Sequence, residues 1–502
     1  MSFLRSNTFY KLILLIFVFE ALWIAVSAAY PQAFDENFHF GLIKVYSHYW
    51  LPFFTSQPPH ADAYGAVAHD PSYLYHYLMS FPFRFIELFT KRQIVQVVFL
   101  RVINVALFTW AIILFRKVLL RVGASTALVN LSLMLFVLIP IVPQLAAQIN
   151  YDNLMIPLTA LSLLLAFRIV DEVKAKKPSV MSFALMICLG LLTGLVKYAY
   201  LPILTAIVIF LFIIIWQSYR HELNKFFNNL KNSWKEQKPL YKIFIVIAVI
   251  VPIGMFLQRD GLNLVEYHSI EPDCSKILTV KQCSAYSPWE YNYKNHQKLL
   301  KEGTENHYQN ILAYTVQWLY WMWYRLFFAV NGPNSHFKNY PPLPLPSFAT
   351  LVLMIIGVIA LLKFWRKLFT DRPRLILLFF VACFYSLVLF GQGYYTYRYT
   401  AVLENMNGRY LLPVLLMFAV VFGESIGLLF RNKQKRKIIL ALVALLFFLE
   451  GGGLITFIAR SDPSWDVDNK TIVKVNNTAR KVVKKIVITG KKRYTTSVWF
   501  LN

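Results

Sequence analysis

The chain has 502 residues, of which 57% are hydrophobic and only 15% are charged, and its mean hydropathy is +0.50. A soluble protein carries about a quarter charged residues, so this composition excludes an ordinary soluble enzyme and predicts a polytopic membrane protein. The formal net charge of +26 suggests a nucleic-acid-binding protein at first sight. However, most Lys and Arg residues stand in short clusters between apolar runs, as in cytoplasmic loops, so no nucleic-acid partner is expected.

Eleven apolar runs are long enough to cross about 30 Å of hydrocarbon. The first is predicted to be retained rather than cleaved, because Glu20 interrupts it and no clear small-residue cleavage site precedes Pro31. The sequence therefore predicts an all-α polytopic membrane protein. The runs are 9–30, 93–115, 125–146, 154–170, 180–196, 200–216, 241–258, 344–362, 375–391, 409–429 and 438–458.

Basic loops fix the predicted orientation, with the N-terminus in the cytoplasm. The short opposite loops 147–153 and 197–199 hold one cation between them, Lys197. The segment 311–330 is apolar enough to be a further span, but its Trp and Tyr residues favour an interfacial or re-entrant helix. A crossing there would also place downstream basic clusters outside. The predicted cytoplasmic loops, each basic, are 116–121, 168–177, 220–242, 363–374 and 431–437.

Two large outer loops are predicted, at residues 31–92 and 259–343. The second contains Cys274 and Cys283, for which a disulfide is expected if the loop faces an oxidising compartment. Residues 1–458 are predicted to form one transmembrane catalytic region, and residues 459–502 a short basic outer tail.

The first outer loop begins with FDENFHFG, which places Asp35, Glu36 and His39 at the point where the first span ends. Carboxylates at this position lie where the headgroup of a lipid substrate would lie. The alternative is structural: Asp35 would cap a helix that begins at Glu36, and the helix N-terminus would favour both charges.

The same loop also holds HDPSYLYHYL, which contains His69 and Asp70. Further outer loops carry polar groups at the head of a span in the stretches QINYDN, GLVKYAYLP and ENMNGRYLLP, which supply Asp152, Lys197 and Arg409. Polar groups near membrane depth usually mark a cavity or a substrate path. Acids and cations together suit a reaction that removes a proton from one substrate and releases a phosphate from another. Arg398, in GQGYYTYRYT, is a further phosphate candidate unless that stretch is an aromatic belt with one exposed cation.

Four of these stretches resemble motifs of one superfamily. FDENFHFG is similar to the first-loop motif of protein O-mannosyltransferases, with one extra residue between Glu36 and His39. HDPSYLYHYL resembles their later first-loop segment, with Asp70 where proline is usual. GLVKYAYLP, with Val196 where threonine is common, and NGRYLLP resemble segments of bacterial membrane glycosyltransferases. The resemblance is to the GT-C superfamily of polyprenyl-phosphate-sugar-dependent glycosyltransferases (glycosyltransferase family 39-like), which includes the aminoarabinose transferases that act on lipid A.

The resemblance implies a GT-C-like bundle of about eleven transmembrane helices with a helical first outer loop. It also implies an inverting transfer of a hexose or pentose from a polyprenyl-phosphate donor to an acceptor hydroxyl. Asp35 matches the general base of the superfamily, and Glu36 is expected to orient the acceptor or Asp35. Arg409 and Lys197 are the expected partners of the donor phosphate. For Arg409 the alternative is a side chain that snorkels to the interface.

Five further residues are expected to position the substrates, although His39 has a packing role as its alternative. A metal site formed by first-loop carboxylates and histidines is disfavoured, because no tight spacing such as HExxH is present. No cofactor is therefore expected to be required, and a divalent cation is left open without a clear motif. The five positioning residues are His39, His69, Asp70, Asp152 and Tyr151.

The expected partners are a polyprenyl-phosphate-linked sugar, a glycan, lipid or protein acceptor, and membrane lipids. The expected location is a bacterial inner membrane, with the active site on the periplasmic or extracellular side. Two alternatives stay open: a transporter or flippase for a lipid-linked sugar, and a glycan polymerase or ligase. A transporter typically shows inverted repeats with ionisable or broken helices near the midplane, and the sequence shows none. The early Asp-Glu pair favours the transferase over the ligase.

Overall fold

The computed structural model describes residues 2–303, 310–332, 337–338, 344–403, 406–430 and 452–486. Several predicted features lie wholly or partly outside these residues: Glu404 of the ENMNGRYLLP stretch, the loop 431–437, most of the span 438–458 and the tail beyond residue 486. Within the described residues, seven helices are long and apolar enough to cross a membrane, which confirms the all-α polytopic fold. They are Asn7–Ser27, Gln93–Arg121, Asp152–Lys174, Tyr198–Tyr219, Pro239–Tyr267, Pro373–Thr400 and Gly408–Leu429.

The described residues are almost entirely helical. The first part of the chain forms α1 (Ser2–Arg5), α2 (Asn7–Ser27), α3 (Glu36–Ser47), α4 (Leu74–Glu87), α5 (Gln93–Arg121), α6 (Thr126–Leu138), α7 (Ile141–Ala146), α8 (Asp152–Lys174), α9 (Val180–Val196), α10 (Leu201–Tyr219) and α11 (Leu223–Lys235). The second part forms α12 (Pro239–Phe256), α13 (Leu262–Tyr267), α14 (Val280–Cys283), α15 (Ser287–Glu302), α16 (Ile311–Phe327), α17 (Pro344–Phe369), α18 (Pro373–Thr400), α19 (Leu412–Leu429), α20 (Gly452–Arg460) and α21 (Lys470–Ile486). A two-residue antiparallel pair, β1 (Val330–Asn331) with β2 (Phe337–Lys338), accompanies them.

Two predicted spans differ in shape from the helices observed. The run 125–146 divides into α6 and α7, because Ile139 precedes Pro140 and adopts an extended ψ of 122°, as residues before proline prefer. The run 241–258 continues beyond its predicted end, through a π-helical turn at Leu257–Gly261, into α13. The segment 311–330 contains α16, which is not among the seven candidate spans.

The centre of the bundle is α8, which is the most buried of the seven candidate spans and packs against α5, α9 and α10. It begins at Asp152, so one ionisable side chain lies at the head of the central helix. The first outer loop closes over this end through α3 and α4, which pack on each other. Along α3 the buried face includes Glu36, His39, Phe40 and Ile43, at the i, i+3, i+4 and i+7 spacing of one helical stripe.

A buried ion pair holds this end of the bundle together. Arg101, inside α5, donates from Nε and Nη2 to the two carboxylate oxygens of Glu36 over 2.8 and 2.7 Å, and both side chains have an exposed fraction of 0%. Arg101 also donates to the Ala28 carbonyl at the end of α2 over 2.7 Å. Glu36 accepts two backbone N–H groups, from Gln32 over 2.7 Å and from Ile149 over 3.2 Å. The Glu36–Arg101 pair therefore holds together α5, the end of α2, the start of α3 and the segment before α8.

The second outer loop is clamped onto the first. We call residues 259–303, all of which the structure describes, the cover. Arg259 is 1% exposed and donates to the carbonyls of Pro52 and Val67 over 3.1 and 3.0 Å. Asn263 donates to the His69 carbonyl over 2.8 Å, and its side-chain oxygen lies 2.9 Å from His69 Nδ1. The first loop thus has a fixed partner along its outer surface.

A disulfide joins Cys274 and Cys283 within the cover, with an S–S distance of 2.07 Å. The chain after α20 returns to the end of α2, where Ala28 and Asp466 form an isolated antiparallel bridge. Arg480 of α21 pairs with Asp466 over 2.6 Å, with both side chains buried. The described part of the tail is therefore a helix docked beside the first span.

The Glu36–Arg101 pair predicts a large stability effect. Glu36→Gln removes the carboxylate charge and leaves the Arg101 guanidinium buried without a counter-charge. We expect the free energy of unfolding to fall by about 3–5 kcal/mol, measured as thermal unfolding of the detergent-solubilised protein. The control is Lys91→Ala, which removes a pair with Glu87 whose side chains are 80% and 37% exposed; it should cost under about 1 kcal/mol. Equal unfolding temperatures for wild type and Glu36→Gln would contradict the role of the pair.

Candidate active site

Asp35 is presented by a strained bend. Phe34 and Asp35 both have positive φ, 60° and 64°, a backbone region that non-glycine residues rarely adopt and that clusters at functional sites. Asp35 stands at the N-cap of α3, the position that the structural alternative gave it, but makes no side-chain capping hydrogen bond. Its side chain is 52% exposed, and its Oδ2 lies 3.2 Å from Nη2 of Arg409. The carboxylate thus faces an opening and a cation.

Arg409 is placed by a short turn before α19. Asn407 caps this turn by accepting from the backbone N–H of Arg409 over 3.1 Å. Gly408 lies so close to α16 that a Cβ there would stand 2.3 Å from Leu326 Cα, so only glycine fits. The Arg409 side chain is 6% exposed, and its Nε and Nη1 are buried without a hydrogen-bond partner. It does not snorkel to the surface.

Lys197 and Asp152 form a second, buried ion pair. Lys197 lies just after α9, where the backbone becomes extended (φ −156°, ψ 116°) and breaks the helix. Its Nζ is 2.6 Å from Asp152 Oδ1, and the two side chains are 4% and 3% exposed. The other oxygen of Asp152, Oδ2, is buried without a partner. The Lys197 ammonium also lies 4.4 Å from the centroid of the Tyr151 ring, an electrostatically favourable position.

The cations of the Asp35–Arg409 and Asp152–Lys197 pairs both lie against the ring of Tyr410, which forms a common wall of the site. Lys197 Nζ lies 5.0 Å and Arg409 Cζ 5.1 Å from its centroid, and Arg409 Nη2 donates to its hydroxyl over 3.2 Å. Because a buried polar atom gains from a hydrogen-bond partner, Nε and Nη1 of Arg409 are suited to a ligand that accepts hydrogen bonds. Two donors of one guanidinium suit an oxyanion such as a phosphate.

His39 and His76 form a buried chain beside this cluster. Because the Ser72 carbonyl only accepts, His76 Nδ1, at 3.2 Å, carries the proton. His76 Nε2 therefore accepts from His39 Nδ1 at 2.9 Å, and this assignment leaves His39 Nε2 as an acceptor. The His39 ring lies edge-on to Tyr151 with 4.5 Å between centroids, next to the Lys197 pair. His39 is thus packed into the wall of the site.

Burial keeps both histidines neutral. It lowers the pKa of His76 to about 3. It also lowers the pKa of His39 well below its ordinary value, helped by the neighbouring His76 and by the positive charges of Arg409 and Lys197.

Three of the residues predicted for the site face elsewhere. Glu36 is enclosed by Arg101 and backbone donors, and its side chain has an exposed fraction of 0%. His69 contacts Asn263 of the cover. Asp70 accepts from the Ser72 backbone N–H over 2.8 Å and shapes a turn of the first loop. By contrast, Asp35, Arg409, Lys197, Asp152, Tyr151 and His39 come together.

Three important residues were not predicted from the sequence. The sequence did contain a signal for Arg101, because an arginine inside an apolar span needs a charged or polar partner. His76 and Tyr410 lie inside two of the quoted stretches, but only the tertiary structure shows that they contact His39 and Arg409.

The fold and the site define a class: a polytopic membrane protein whose polar site, at the heads of several membrane helices, pairs a half-exposed carboxylate with buried cations. Residues 53–268 match the family model described as dolichyl-phosphate-mannose-protein mannosyltransferase, which confirms the resemblance stated above for this part of the chain. The matched residues include Asp152 and Lys197, whereas Asp35 and Arg409 lie outside them. No curated protein matches the chain.

The neutral histidine pair predicts a pH-dependent stability. In the unfolded chain a histidine takes up a proton below about pH 6.5, but the folded pair does not, so stability present above pH 6.5 is lost as the pH falls toward 3. We expect the free energy of unfolding to fall less steeply between pH 6.5 and 5 in His76→Gln than in wild type, by about 1.4 kcal/mol per pH unit. Thermal unfolding at several pH values measures this. His60→Gln, at an exposed position, is the control, and parallel curves for wild type and His76→Gln would refute it.

Proposed function

We propose that the protein transfers a mannosyl group, with inversion, from a polyprenyl-phosphate donor to a hydroxyl group of an acceptor protein. The observation that carries the proposal is the meeting of Asp35, Arg409 and Lys197 around Tyr410. The donor and the acceptor follow the words of the matched family model. The chemistry rests on the side chains themselves.

The donor phosphate has a fitting partner in Arg409. Two donors of the guanidinium, Nε and Nη1, are buried without a hydrogen-bond partner, and the charge is held in a poorly hydrated place where it stabilises an anion more strongly than in water. Lys197 adds a second positive charge across Tyr410, with Asp152 holding it in position. A lipid phosphate is also a good leaving group, so no covalent intermediate on the protein is needed.

Asp35 has the properties of a general base. It is the exposed partner of the pair with Arg409, so an acceptor hydroxyl can reach it from water. In the proposed step this hydroxyl oxygen bonds to the anomeric carbon while its proton passes to Asp35. The bond from that carbon to the phosphate oxygen breaks, and its electron pair stays on the phosphate near Arg409. A single displacement inverts the anomeric centre, unlike the double displacement of retaining glycosidases.

Two further features support a site on the non-cytoplasmic face of a membrane, the bacterial inner membrane being our proposal. The basic clusters between the spans favour the opposite end of the bundle as the cytoplasmic end. The Cys274–Cys283 disulfide lies in the cover, on the same side as Asp35, and disulfides persist in oxidising compartments.

Asp35→Asn tests the base. The amide cannot take the acceptor proton but has nearly the same size, so we expect the rate of transfer to fall by about 10²–10⁴-fold with little change in thermal stability. The assay follows radiolabelled mannose from a short-chain polyprenyl-phosphate donor to a peptide rich in Ser and Thr. Unchanged transfer would remove the base assignment. Movement of the donor across liposomes without any transfer would favour the transporter alternative.

Arg409→Gln tests the phosphate contact. Loss of the guanidinium removes both unpaired donors, so we expect kcat/KM for the donor to fall by about 100-fold or more. Arg409→Lys keeps the charge but not the forked geometry and should recover only part of the loss. Arg92→Gln, at an exposed position directly before α5, is the matched control and should behave as wild type. Equal losses in the two glutamine variants would show a general charge effect instead.

A further inference from the structure

Aromatic rings pack on two glycines of the first outer loop, and one of these rings, Tyr286, belongs to the cover. A Cβ on Gly41 would lie 2.2 Å from Cζ of Tyr64, so the ring fits only because this position is glycine. One layer further out, a Cβ on Gly65 would lie 3.4 Å from Cδ1 of Tyr286 in the cover. Tyr286 also packs on Phe38, with 5.6 Å between ring centroids.

These rings stand beside the proposed base. Phe38 lies in the first turn of α3, directly after the strained bend that presents Asp35. Burial raises the pKa of the Tyr286 phenol, and the negative charge of Asp35 is the next largest cause, which agrees with a position near that carboxylate. The first turn of α3, directly after Asp35, therefore contacts an aromatic ring from a distant part of the chain.

Local bonds in the cover hold Tyr286 in this place. The disulfide closes the segment just before it, and the backbone N–H of Tyr286 donates to the Cys283 carbonyl over 3.0 Å. Cys283 itself is fully buried. On the other side, Trp289 Nε1 donates to Asp273 Oδ2 over 3.1 Å. The ring is thus carried by a braced loop rather than by a free one.

We propose that Tyr286, held by the disulfide-closed segment of the cover, shields the reacting carbon from water and so directs the sugar to the acceptor. It is a positioning residue, and the proposal rests on the proposed transferase function. In the side reaction that it suppresses, a water oxygen bonds to the anomeric carbon and the bond to the phosphate oxygen breaks with its electron pair. The water proton passes to Asp35, and the products are free mannose and polyprenyl phosphate. Exclusion of water is a general means of preventing such hydrolysis.

The test is the ratio of donor hydrolysis to transfer, measured as free mannose against mannosylated peptide in one reaction with the full-length protein. Tyr286→Ala should raise this ratio by about threefold or more, because water enters where the ring was. Tyr286→Phe keeps the ring and should restore the wild-type ratio. The double variant Cys274→Ser/Cys283→Ser should give an intermediate ratio, because the Trp289–Asp273 bond still braces the loop.

Tyr291→Ala is the matched control, since Tyr291 lies on α15, the helix that begins directly after Tyr286, and is 60% exposed; its ratio should not change. An unchanged ratio in both Tyr286→Ala and the double cysteine variant would overturn the proposal. If Tyr286→Ala does not accumulate in cells, the double cysteine variant provides the test, because it keeps both Tyr286 and Phe38. A wild-type protein that neither transfers nor hydrolyses the donor would instead refute the proposed function itself.

Discussion

The buried ion pair between Glu36 and Arg101 fixes the position from which Asp35, the preceding residue, faces the site. Both oxygens of Glu36 are occupied by the guanidinium and by backbone N–H groups, so the start of α3 is fixed in place. The chain reaches it through two residues with positive φ, and this bend turns Asp35 outward while Glu36 points inward. Two adjacent carboxylates therefore have opposite environments: one is a fully buried structural anchor, and the other is half exposed next to a cation. The strain of the bend is tolerated because the anchor over-determines it.

The free site is balanced in charge, with two acids and two cations in ion pairs. In a reacting complex, the base must lie within hydrogen-bond reach of the acceptor oxygen, and that oxygen must lie about 3–3.5 Å from the anomeric carbon. Asp35 and the phosphate must then stand on opposite sides of the sugar, so the 3.2 Å contact between Asp35 and Arg409 belongs to the free enzyme. Since Asp35 is half exposed, this ion pair contributes little to stability and can be exchanged for substrate contacts. Lys197 and Asp152, both buried, remain as the fixed part of the site.

The sequence was informative about charges at the heads of spans and weak about which of them meet. Asp35, Asp152, Lys197 and Arg409 could be selected because ionisable groups at membrane depth are costly without a purpose. Glu36 could not be separated from Asp35, because both lie in one dipeptide and only the backbone bend distinguishes them. Arg101 is visible in the sequence as a charged residue inside the apolar run 93–115. A search for its carboxylate partner would have identified Glu36 as the buried anchor. His76, Tyr410 and Tyr286 depend on contacts between segments far apart in the chain, which no periodicity encodes.

The site joins the two ends of the chain, since Asp35 and Arg409 are 374 residues apart. The segment that matches the family model, 53–268, contains Lys197 and Asp152 but neither the proposed base nor the arginine that faces it. The matched segment therefore supplies the buried Lys197–Asp152 pair, while Tyr410, Asp35 and Arg409 come from the flanking segments. Because Arg409 is buried, its charge is costly unless an anion lies beside it. Asp35 is that anion in the free protein, so the first outer loop and the start of α19 must both be in place before this charge is paired.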